Sequence, residues 1–498
     1  MLNREINRLI EFALYHKLIT PEDKTWAANS LIGILGVNSF EPEKISEDFT
    51  ASPDSILSKI LDWSAENKLI EDTETERDLL DTKLMGALTP RPSDVISEFE
   101  ALREKSPADA TNYFYNLGVS SNYIRSERTA KNICWKTSTD YGELDITINM
   151  SKPEKDPRDI AKARAVKSTG YPKCLLCREN EGFYGHHGHP ARQNIRLVPV
   201  ELQGRKWYFQ YSPYSYYNEH CIVLDENHVP MLISRETFGN LFAFISLFPH
   251  YFVGSNADLP IVGGSILSHD HYQGGRYVFA MELAPVEKEY RVSDPEIKAG
   301  RVKWPMSAIR LRSGNPDKLV DMADRILSAW REYSDESVGI LAYSDGEPHN
   351  TITPIARRRG NDYEVDLVLR NNRTSEEHPL GIFHPHSEVH HIKKENIGLI
   401  EVMGLAVLPA RLKGALEKIR SLWLEGRENL PSELEAHEVW YKGLRSKYEG
   451  LKGENEVKNM LRYEVGHVFA QVLTDSGVYK RNAEGLTAFD RFSEGVIN

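Results

Sequence analysis

The chain contains Ser268-His269-Asp270-His271-Tyr272-Gln273-Gly274-Gly275, which sets two histidines and a glutamine at alternate positions. Alternate side chains of an extended strand share a face, so we expect His269, His271 and Gln273 to point the same way. The preceding residues 261–267 are apolar and include a glycine pair, which predicts a buried strand with something close to its backbone. The pattern therefore predicts a functional site at the end of that strand.

The residue types suit chemistry at a phosphate. An imidazole attacks phosphorus when one ring nitrogen keeps its lone pair and the other is held as a donor, usually by a backbone carbonyl. The amide of Gln273 can donate to a phosphoryl oxygen as charge builds there. His271 and Gln273 are thus a candidate nucleophile and charge stabiliser. The alternatives are a metal-binding pair and two core histidines bonded to the backbone.

A second motif is Cys174-Leu175-Leu176-Cys177 in a turn-rich context. Such a CxxC pair is typical of half a tetrahedral zinc site or of a redox pair, and no βαβ pattern follows that would favour the redox role. We predict that His228 and His269 complete a closed Cys₂His₂ set. The competing ligands are His186, His187 and His189, and a third alternative is two reduced cysteines without metal.

In this order, the motifs resemble the histidine-triad superfamily, and specifically the galactose-1-phosphate uridylyltransferases, over about residues 110 to 430. The better-known branch of that family reads HPHGQ at the last motif, whereas here Asp270 replaces proline and Tyr272 replaces glycine. These departures, the length and the N-terminal region make the chain similar to the bacterial type 2 branch.

The resemblance implies residue roles. His271 would carry the uridylyl group, Gln273 would donate to a phosphate oxygen, and Cys174, Cys177, His228 and His269 would bind zinc. It also implies two related halves, because the order lone histidine then HxH recurs in the second half. That half would offer a second metal site, made of His349, His384, His386 and either Glu287 or Glu289. The alternative is that His384 and His386 are hydrogen-bonded strand residues.

The family also implies the reaction. His271 would take UMP from UDP-glucose and pass it to galactose 1-phosphate, in galactose catabolism. The rival functions are a histidine-triad nucleotide hydrolase or phosphorylase, and a non-catalytic zinc-knuckle nucleotide-binding protein. Candidate phosphate-binding residues are Arg125, Arg128 and Arg357, because guanidinium groups match phosphate geometry; for Arg357 the alternative is a solvated charge run.

Composition limits the partners. A net charge of −12 argues against a nucleic-acid-binding face, because binding to a phosphate backbone needs clustered basic residues. Four cysteines give no disulfide framework, and neither a signal peptide nor a long apolar run is found, so we expect a cytoplasmic protein without membrane contact. We expect small phosphate esters as substrates, no organic cofactor, and a homodimer.

The expected fold is α+β, with two histidine-triad-like halves built on antiparallel sheets after an N-terminal helical domain. We predict four parts: a helical accessory domain at 1–107, a first half at 108–295 with the nucleophile, a second half at 296–430, and a helical tail at 431–498. Within them, the pattern predicts helices over 237–248, 317–333 and 397–412.

Overall fold

The computed structural model describes residues 1–151, 170–264 and 266–498 of the 498-residue chain. The described residues form two compact units that alternate along the chain. The first unit comprises Met1–Lys131, Ser151–Pro230 and Ser268–Gly275, and the second comprises Asn132–Met150, Met231–Leu267 and Arg276–Asn498. The domain boundaries at 107, 295 and 430 stay a prediction. Within the described ranges, no helix combines the length and the apolar character needed to cross a membrane.

The α-helices of the described residues are Leu2–Tyr15, Lys24–Leu35, Asp54–Glu66, Glu74–Leu88, Pro92–Arg103, Pro107–Ser120, Ser126–Thr129, Arg235–Leu247, Ala280–Leu283, Pro316–Arg331, Leu399–Val402, Arg411–Leu424, Glu438–Lys447, Glu454–Asp475 and Ala483–Ile497. Short 3₁₀ helices are Pro21–Asp23, Arg178–Asn180, Glu336–Val338, Ser387–Val389 and Ser432–His437.

The strands are β1 (Ile133–Thr139), β2 (Gly142–Asn149), β3 (Val198–Leu202), β4 (Arg205–Tyr211), β5 (Cys221–Asp225), β6 (Phe252–Gly254), β7 (His271–Gly275), β8 (Val286–Tyr290), β9 (Lys298–Val302), β10 (Ala308–Ser313), β11 (Tyr343–Ser344), β12 (Glu347–Pro348), β13 (Asn350–Arg359), β14 (Asp362–Asn371) and β15 (Leu405–Pro409). The α+β class with antiparallel sheets is confirmed.

The first unit packs helices against an antiparallel arrangement in the order β3-β4-β5-β7. Two helices, Pro92–Arg103 and Pro107–Ser120, contribute Phe99 and Phe114, whose rings lie 6.2 Å and 5.4 Å from the ring of Phe209 on β4. The second of these helices starts as its sequence predicts, with a capping Ser106 followed by proline. This aromatic cluster packs helices of the first unit against the sheet that contains β7.

The register of β5 and β7 determines where the site lies. Leu224 of β5 pairs with His271, and Ile222 pairs with Gln273. Between them, Tyr272 is buried and stacks on the fully buried Trp207 of β4, with ring centroids 4.8 Å apart. Because successive side chains alternate between faces, this stack anchors the face of β7 opposite to that of His271 and Gln273.

The second unit contains antiparallel strands in the order β6-β13-β14-β10-β9-β8. A separate sheet has the order β1-β2-β15, in which β15 runs parallel to β2. The predicted helices at 237–248 and 317–333 are present as Arg235–Leu247 and Pro316–Arg331. In the second of these, Asn315 caps the backbone N–H of Asp317.

The strand predicted over 261–267 is wrong, because the described residues there form turns and the strand begins only at His271. The glycine pair explains the error. A Cβ on Gly263 would lie 2.6 Å from the carbonyl oxygen of Ala257, and one on Gly264 would lie 2.6 Å from the Asn256 amide nitrogen. The expected close approach to the backbone is therefore present, but it belongs to a folded loop.

The single helix predicted over 397–412 is also wrong. The segment forms a short helix at Leu399–Val402, then β15, and a new helix from Arg411. Gly404 separates the first two elements with a φ of +103°, a backbone conformation that residues with a Cβ rarely adopt. The apolar run after it pairs with β2, so tertiary pairing overrides the helical spacing.

Candidate active site and metal centre

The four predicted zinc ligands lie together in the first unit. One ligand atom from each of Cys174, Cys177, His228 and His269 falls within 4.8 Å of all the others. The Cys174 Sγ lies 3.3 Å from His269 Nδ1, and the Cys177 Sγ lies 3.1 Å from His228 Nδ1. Two thiols and two imidazole nitrogens converging on one point are the donor set of a closed tetrahedral zinc site, so these residues fit the ion.

The tautomer of His269 fits a metal ligand. Its Nε2 lies 2.9 Å from the carbonyl oxygen of Asp225, which can only accept, so Nε2 carries the proton and Nδ1 keeps its lone pair toward the thiols. Asp225, at the end of β5, is held in turn by an ion pair with Arg205 at 2.5 Å. Sequence reasoning missed Asp225, because the contact uses its backbone carbonyl, which any residue can offer.

The two thiols have pKa values displaced in opposite directions. Burial and the neighbouring thiol raise the pKa of Cys177 to about 12. Burial also acts on Cys174, but hydrogen bonds outweigh it and lower the pKa of that thiol. The largest of them, with His269, requires a proton on His269 Nδ1, so it applies only when no metal is bound there. A bound divalent cation would favour the thiolate form of both residues.

The turn around the CxxC motif is shaped by Asn180. This buried side chain donates from Nδ2 to the carbonyl oxygens of Cys174 at 2.9 Å and Cys177 at 2.7 Å. Its Oδ1 lies 2.7 Å from His189 Nε2. His189 thus supports the turn. Asn180 was missed by sequence reasoning, and no local pattern marks it.

The competing ligands have other contacts. His186 Nδ1 accepts from the backbone N–H of Gly188 at 3.0 Å, and His187 Nε2 lies 3.4 Å from Glu76 Oε1. Neither these residues nor His189 belongs to a group of potential metal ligands within the described ranges. The geometry therefore favours His228 as the fourth ligand.

His271 has the tautomer that a nucleophile needs. Its Nδ1 lies 2.8 Å from the carbonyl oxygen of His269, so Nδ1 donates and the Nε2 lone pair is available. Burial lowers the pKa of His271 to about 4, and the nearby His269 adds to the effect. The ring is therefore neutral at neutral pH. Because the carbonyl belongs to His269, the residue anchored beside the thiols also orients His271.

The expectation of one shared face holds only in part. β7 begins at His271, so alternation places His271 and Gln273 on one face, while His269 precedes the strand and turns its ring to the thiols. Gln273 is half-buried, and its Oε1 lies 3.1 Å from Nε2 of His220. His220 is a site residue that sequence reasoning missed.

The predicted phosphate-binding arginines have carboxylate partners. In the first unit, Arg125 and Arg128 both pair with Asp78, at 2.9 Å and 3.1 Å. In the second unit, Arg357 is buried and bonds Glu364 at 2.8 Å and Asp366 at 2.6 Å. Their role in substrate binding stays a prediction, and for Arg357 the solvated alternative is wrong because the side chain is buried.

The second predicted metal set is not assembled. Among the described residues, His349, His384, His386 and Glu287 belong to no group of three or more converging ligands, and neither does Glu289. Glu287 is instead paired with Arg301 and Arg481, at 2.7 Å each. His349 lies 2.8 Å from Asn372 Oδ1 and 2.5 Å from Ser344 Oγ. His384 and His386 are hydrogen-bonded, as the alternative expects, but they lie in a loop and not in a strand.

Comparison with known proteins places this site in a family. Residues 20–230 match the family model for the galactose-1-phosphate uridyl transferase N-terminal domain, and residues 244–440 match that for the C-terminal domain. Both models describe uridyl transferases, a class of nucleotidyltransferase.

Full-length relatives agree. The galactose-1-phosphate uridylyltransferase of Clostridium acetobutylicum is 58% identical and is aligned over 99% of each chain. That of Caldanaerobacter subterraneus subsp. tengcongensis is 54% identical over 98% of this chain and 97% of its own. That of Bacillus subtilis is 50% identical over 98% and 96%. The chain belongs to the galactose-1-phosphate uridylyltransferase family.

A solved structure, the yeast Ap4A phosphorylase Apa2, aligns with a TM-score of 0.33 and 12% identity over 61% of this chain and 88% of that one.

Proposed function

We propose that this protein transfers UMP from UDP-glucose to galactose 1-phosphate by double displacement through a uridylyl-histidine at His271. The observation that carries the proposal is the hydrogen bond from His271 Nδ1 to the His269 carbonyl oxygen. It leaves a neutral ring with an available Nε2 lone pair, the form in which an imidazole is a nucleophile. Family membership supplies the substrates.

In the first step, His271 Nε2 attacks the α-phosphorus of UDP-glucose. A P–N bond forms, the P–O bond to the β-phosphate breaks, and glucose 1-phosphate leaves with the electron pair. A phosphate oxygen of galactose 1-phosphate then attacks the same phosphorus, the P–N bond breaks, and UDP-galactose leaves. The nucleophile needs no deprotonation and the leaving group is a phosphate, so neither step requires a general acid.

Gln273 supports both steps in this scheme. His271 and Gln273 lie on one face of β7, two residues apart. An amide N–H of Gln273 donates to a non-bridging oxygen of the α-phosphate. That bond strengthens as charge accumulates in the transition state, so it lowers the barrier rather than tightening substrate binding.

We further propose that Cys174, Cys177, His228 and His269 bind zinc. When bound, the ion would compensate the two thiolates and cross-link the CxxC turn to the loops carrying the histidines. The residues' own role is orientation, because His269 gives Nδ1 to the cluster and its backbone carbonyl to His271. A homodimer and a cytoplasmic location complete the proposal. The location is supported by four cysteines that are all free thiols.

The test uses UDP-glucose alone. The enzyme should release glucose 1-phosphate in an amount equal to the enzyme and retain UMP on His271, detectable by mass spectrometry of the intact protein and its peptides. Galactose 1-phosphate should then discharge the adduct as UDP-galactose. Product formation only when both substrates are present, with no adduct, would reject the double displacement. Continuous release of glucose 1-phosphate without acceptor would instead favour a hydrolase.

A further inference from the structure

A buried histidine outside the predicted site contacts the proposed charge stabiliser. His220 immediately precedes β5, is 3% exposed, and lies with Nε2 3.1 Å from Oε1 of Gln273. Its ring packs beside Tyr217, with centroids 4.6 Å apart. The other ring nitrogen, Nδ1, is buried and has no hydrogen-bond partner within the described residues.

The protonation state of His220 follows from its burial. Burial lowers the pKa of His220 to about 4, and the hydrogen bond with Gln273 only partly opposes that shift. The ring is neutral at neutral pH and has one N–H, on either Nε2 or Nδ1. Which nitrogen carries it decides which end of the Gln273 amide faces His220.

The two arrangements differ in what they leave unpaired. If Nδ1 carries the proton, a buried N–H has no acceptor, and Gln273 must turn its NH₂ group toward the Nε2 lone pair. If Nε2 carries the proton, it donates to the Gln273 oxygen, and only an acceptor lone pair at Nδ1 is unpaired. Buried N–H groups without a partner are rarer and costlier than under-satisfied acceptors. The Nε2–H tautomer is therefore favoured.

We propose that His220 is a positioning residue that holds the oxygen of Gln273 and so aims its NH₂ group at the phosphoryl oxygen. The idea rests on the proposed function of Gln273 as an oxyanion donor. If the amide of Gln273 were flipped, its oxygen would face the phosphate. The partial negative charge on that oxygen would repel the charge that develops on the phosphoryl oxygens. His220 acts only through Gln273 and contacts no substrate atom in this scheme.

The first experiment removes the ring N–H and keeps its bulk. His220→Phe should lower kcat about tenfold, the size of one neutral hydrogen bond, with little change in the KM for UDP-glucose. His220→Gln places an amide nitrogen near the position of Nε2 and should restore most of the activity. His16→Phe is the matched control, because His16 is also in the first unit and bonds Phe49 and Ser120 instead. Its kcat should be unchanged.

The decisive experiment is a double-mutant cycle. In a Gln273→Ala background, His220→Phe should cause no further loss of kcat, because the group it positions is gone. A further loss equal to that in the wild type would overturn the positioning role while leaving the role of Gln273 intact. If Gln273→Ala itself leaves kcat unchanged, the proposed function of Gln273 fails instead.

A measurement on the unmodified enzyme covers the case in which His220→Phe does not fold. The ¹⁵N chemical shifts of His220 at neutral pH should report a neutral ring protonated on Nε2, assigned by comparison with the His220→Gln variant. A proton on Nδ1 would overturn the inference whatever the kinetics show.

Discussion

The chain carries an HxH pattern at His269 and His271 and again at His384 and His386, and these two copies use their imidazoles differently. At His269 and His271, each ring gives one N–H to a backbone carbonyl and keeps one lone pair, toward the thiols in the first case and available for reaction in the second. At His384, Nδ1 lies 3.2 Å from the Pro385 carbonyl oxygen and Nε2 lies 3.2 Å from Asn396 Oδ1. Both nitrogens of His384 are therefore engaged.

His386 continues that contrast. Its Nε2 lies 3.0 Å from the Ile382 carbonyl oxygen, its Nδ1 lies 4.0 Å from Asp475 Oδ1, and its ring stacks on His378 at 4.3 Å. The spacing of histidines is thus the same in both copies, whereas the partner of the second nitrogen differs. That partner determines whether an imidazole is a ligand, a nucleophile or a structural hydrogen-bond group.

The largest expected effect tests the contrast directly. His271→Gly should lower turnover by about 10⁴-fold or more, because the covalent route loses its nucleophile, while the protein stays folded by circular dichroism. The matched variant His386→Gly, at the same place in the second HxH, should still form the uridylyl adduct from UDP-glucose. Loss of the adduct in both variants would mean that the second copy shares the chemistry, and the contrast would fail.

The metal centre should be confined to the first copy. We expect about one zinc ion per chain, measured by elemental analysis of protein purified without chelator. Cys174→Ala should remove the ion and lower the free energy of unfolding by about 4 kcal/mol or more, as is typical when a structural metal is lost. The control Cys134→Ala changes an exposed thiol of the second unit and should retain the zinc. Two ions per chain would revive the second site.

Replacing Gln273 should have a smaller effect, which falls on kcat and not on substrate binding. Gln273→Ala should lower kcat by about 10²-fold, the range for losing one oxyanion donor, while the Kd for UDP-glucose changes little. The corresponding position after the second HxH is Glu388, two residues after His386 in a short 3₁₀ helix, and Glu388→Ala should leave kcat unchanged. Equal losses in binding and turnover for Gln273→Ala would assign Gln273 to substrate positioning.

The sequence predicts the chemistry of the site better than its surroundings. Cys174, Cys177, His228 and His269 were predictable because zinc ligands have restricted residue types, and the short CxxC spacing already fixes half of the set. The hydrogen-bond partners that select the tautomer of each histidine were not predictable from the sequence. His269 is oriented by the backbone carbonyl of Asp225, and any residue can offer a carbonyl, so no sequence pattern marks it.

The fold shows the same distinction between features with local sequence signals, which were predictable, and features set by distant contacts, which were not. Helices with a polar cap and proline at the start, such as Pro316–Arg331, were predictable from local signals. The predictions of a strand over 261–267 and of a helix over 397–412 were wrong, because an apolar run is compatible with both helical and strand periodicity. In those segments, Gly263 packs against the Ala257 carbonyl and Leu405–Pro409 pairs with β2. Contacts distant in sequence decided the outcome.

The smallest expected effect concerns acid stability and compares two buried histidines, each beside a carboxamide. Burial lowers the pKa of His220 to about 4, and its Nδ1 has no hydrogen-bond partner within the described residues. Burial also lowers the pKa of His384, but hydrogen bonds to Pro385 and Asn396 oppose the shift. A lowered pKa means that, at a pH between the folded and unfolded pKa values, the histidine binds a proton in the unfolded chain but not in the folded chain. The stability that His220 contributes is therefore complete above its unfolded pKa of about 6.5 and is lost as the pH falls toward 4.

From this shift, urea unfolding should show that His220 accounts for about 2 kcal/mol of the stability lost between about pH 7 and about pH 5. His220→Phe should remove that part of the pH dependence. His384→Phe should remove less, because the hydrogen bonds to Pro385 and Asn396 stabilise the protonated form of His384 in the folded chain. The difference in slope between the two variants is the quantity to compare, since each substitution also changes the stability at neutral pH. Equal slopes would mean that the unpartnered Nδ1 does not distinguish the two histidines, and that protonated His220 finds an acceptor when the pH falls.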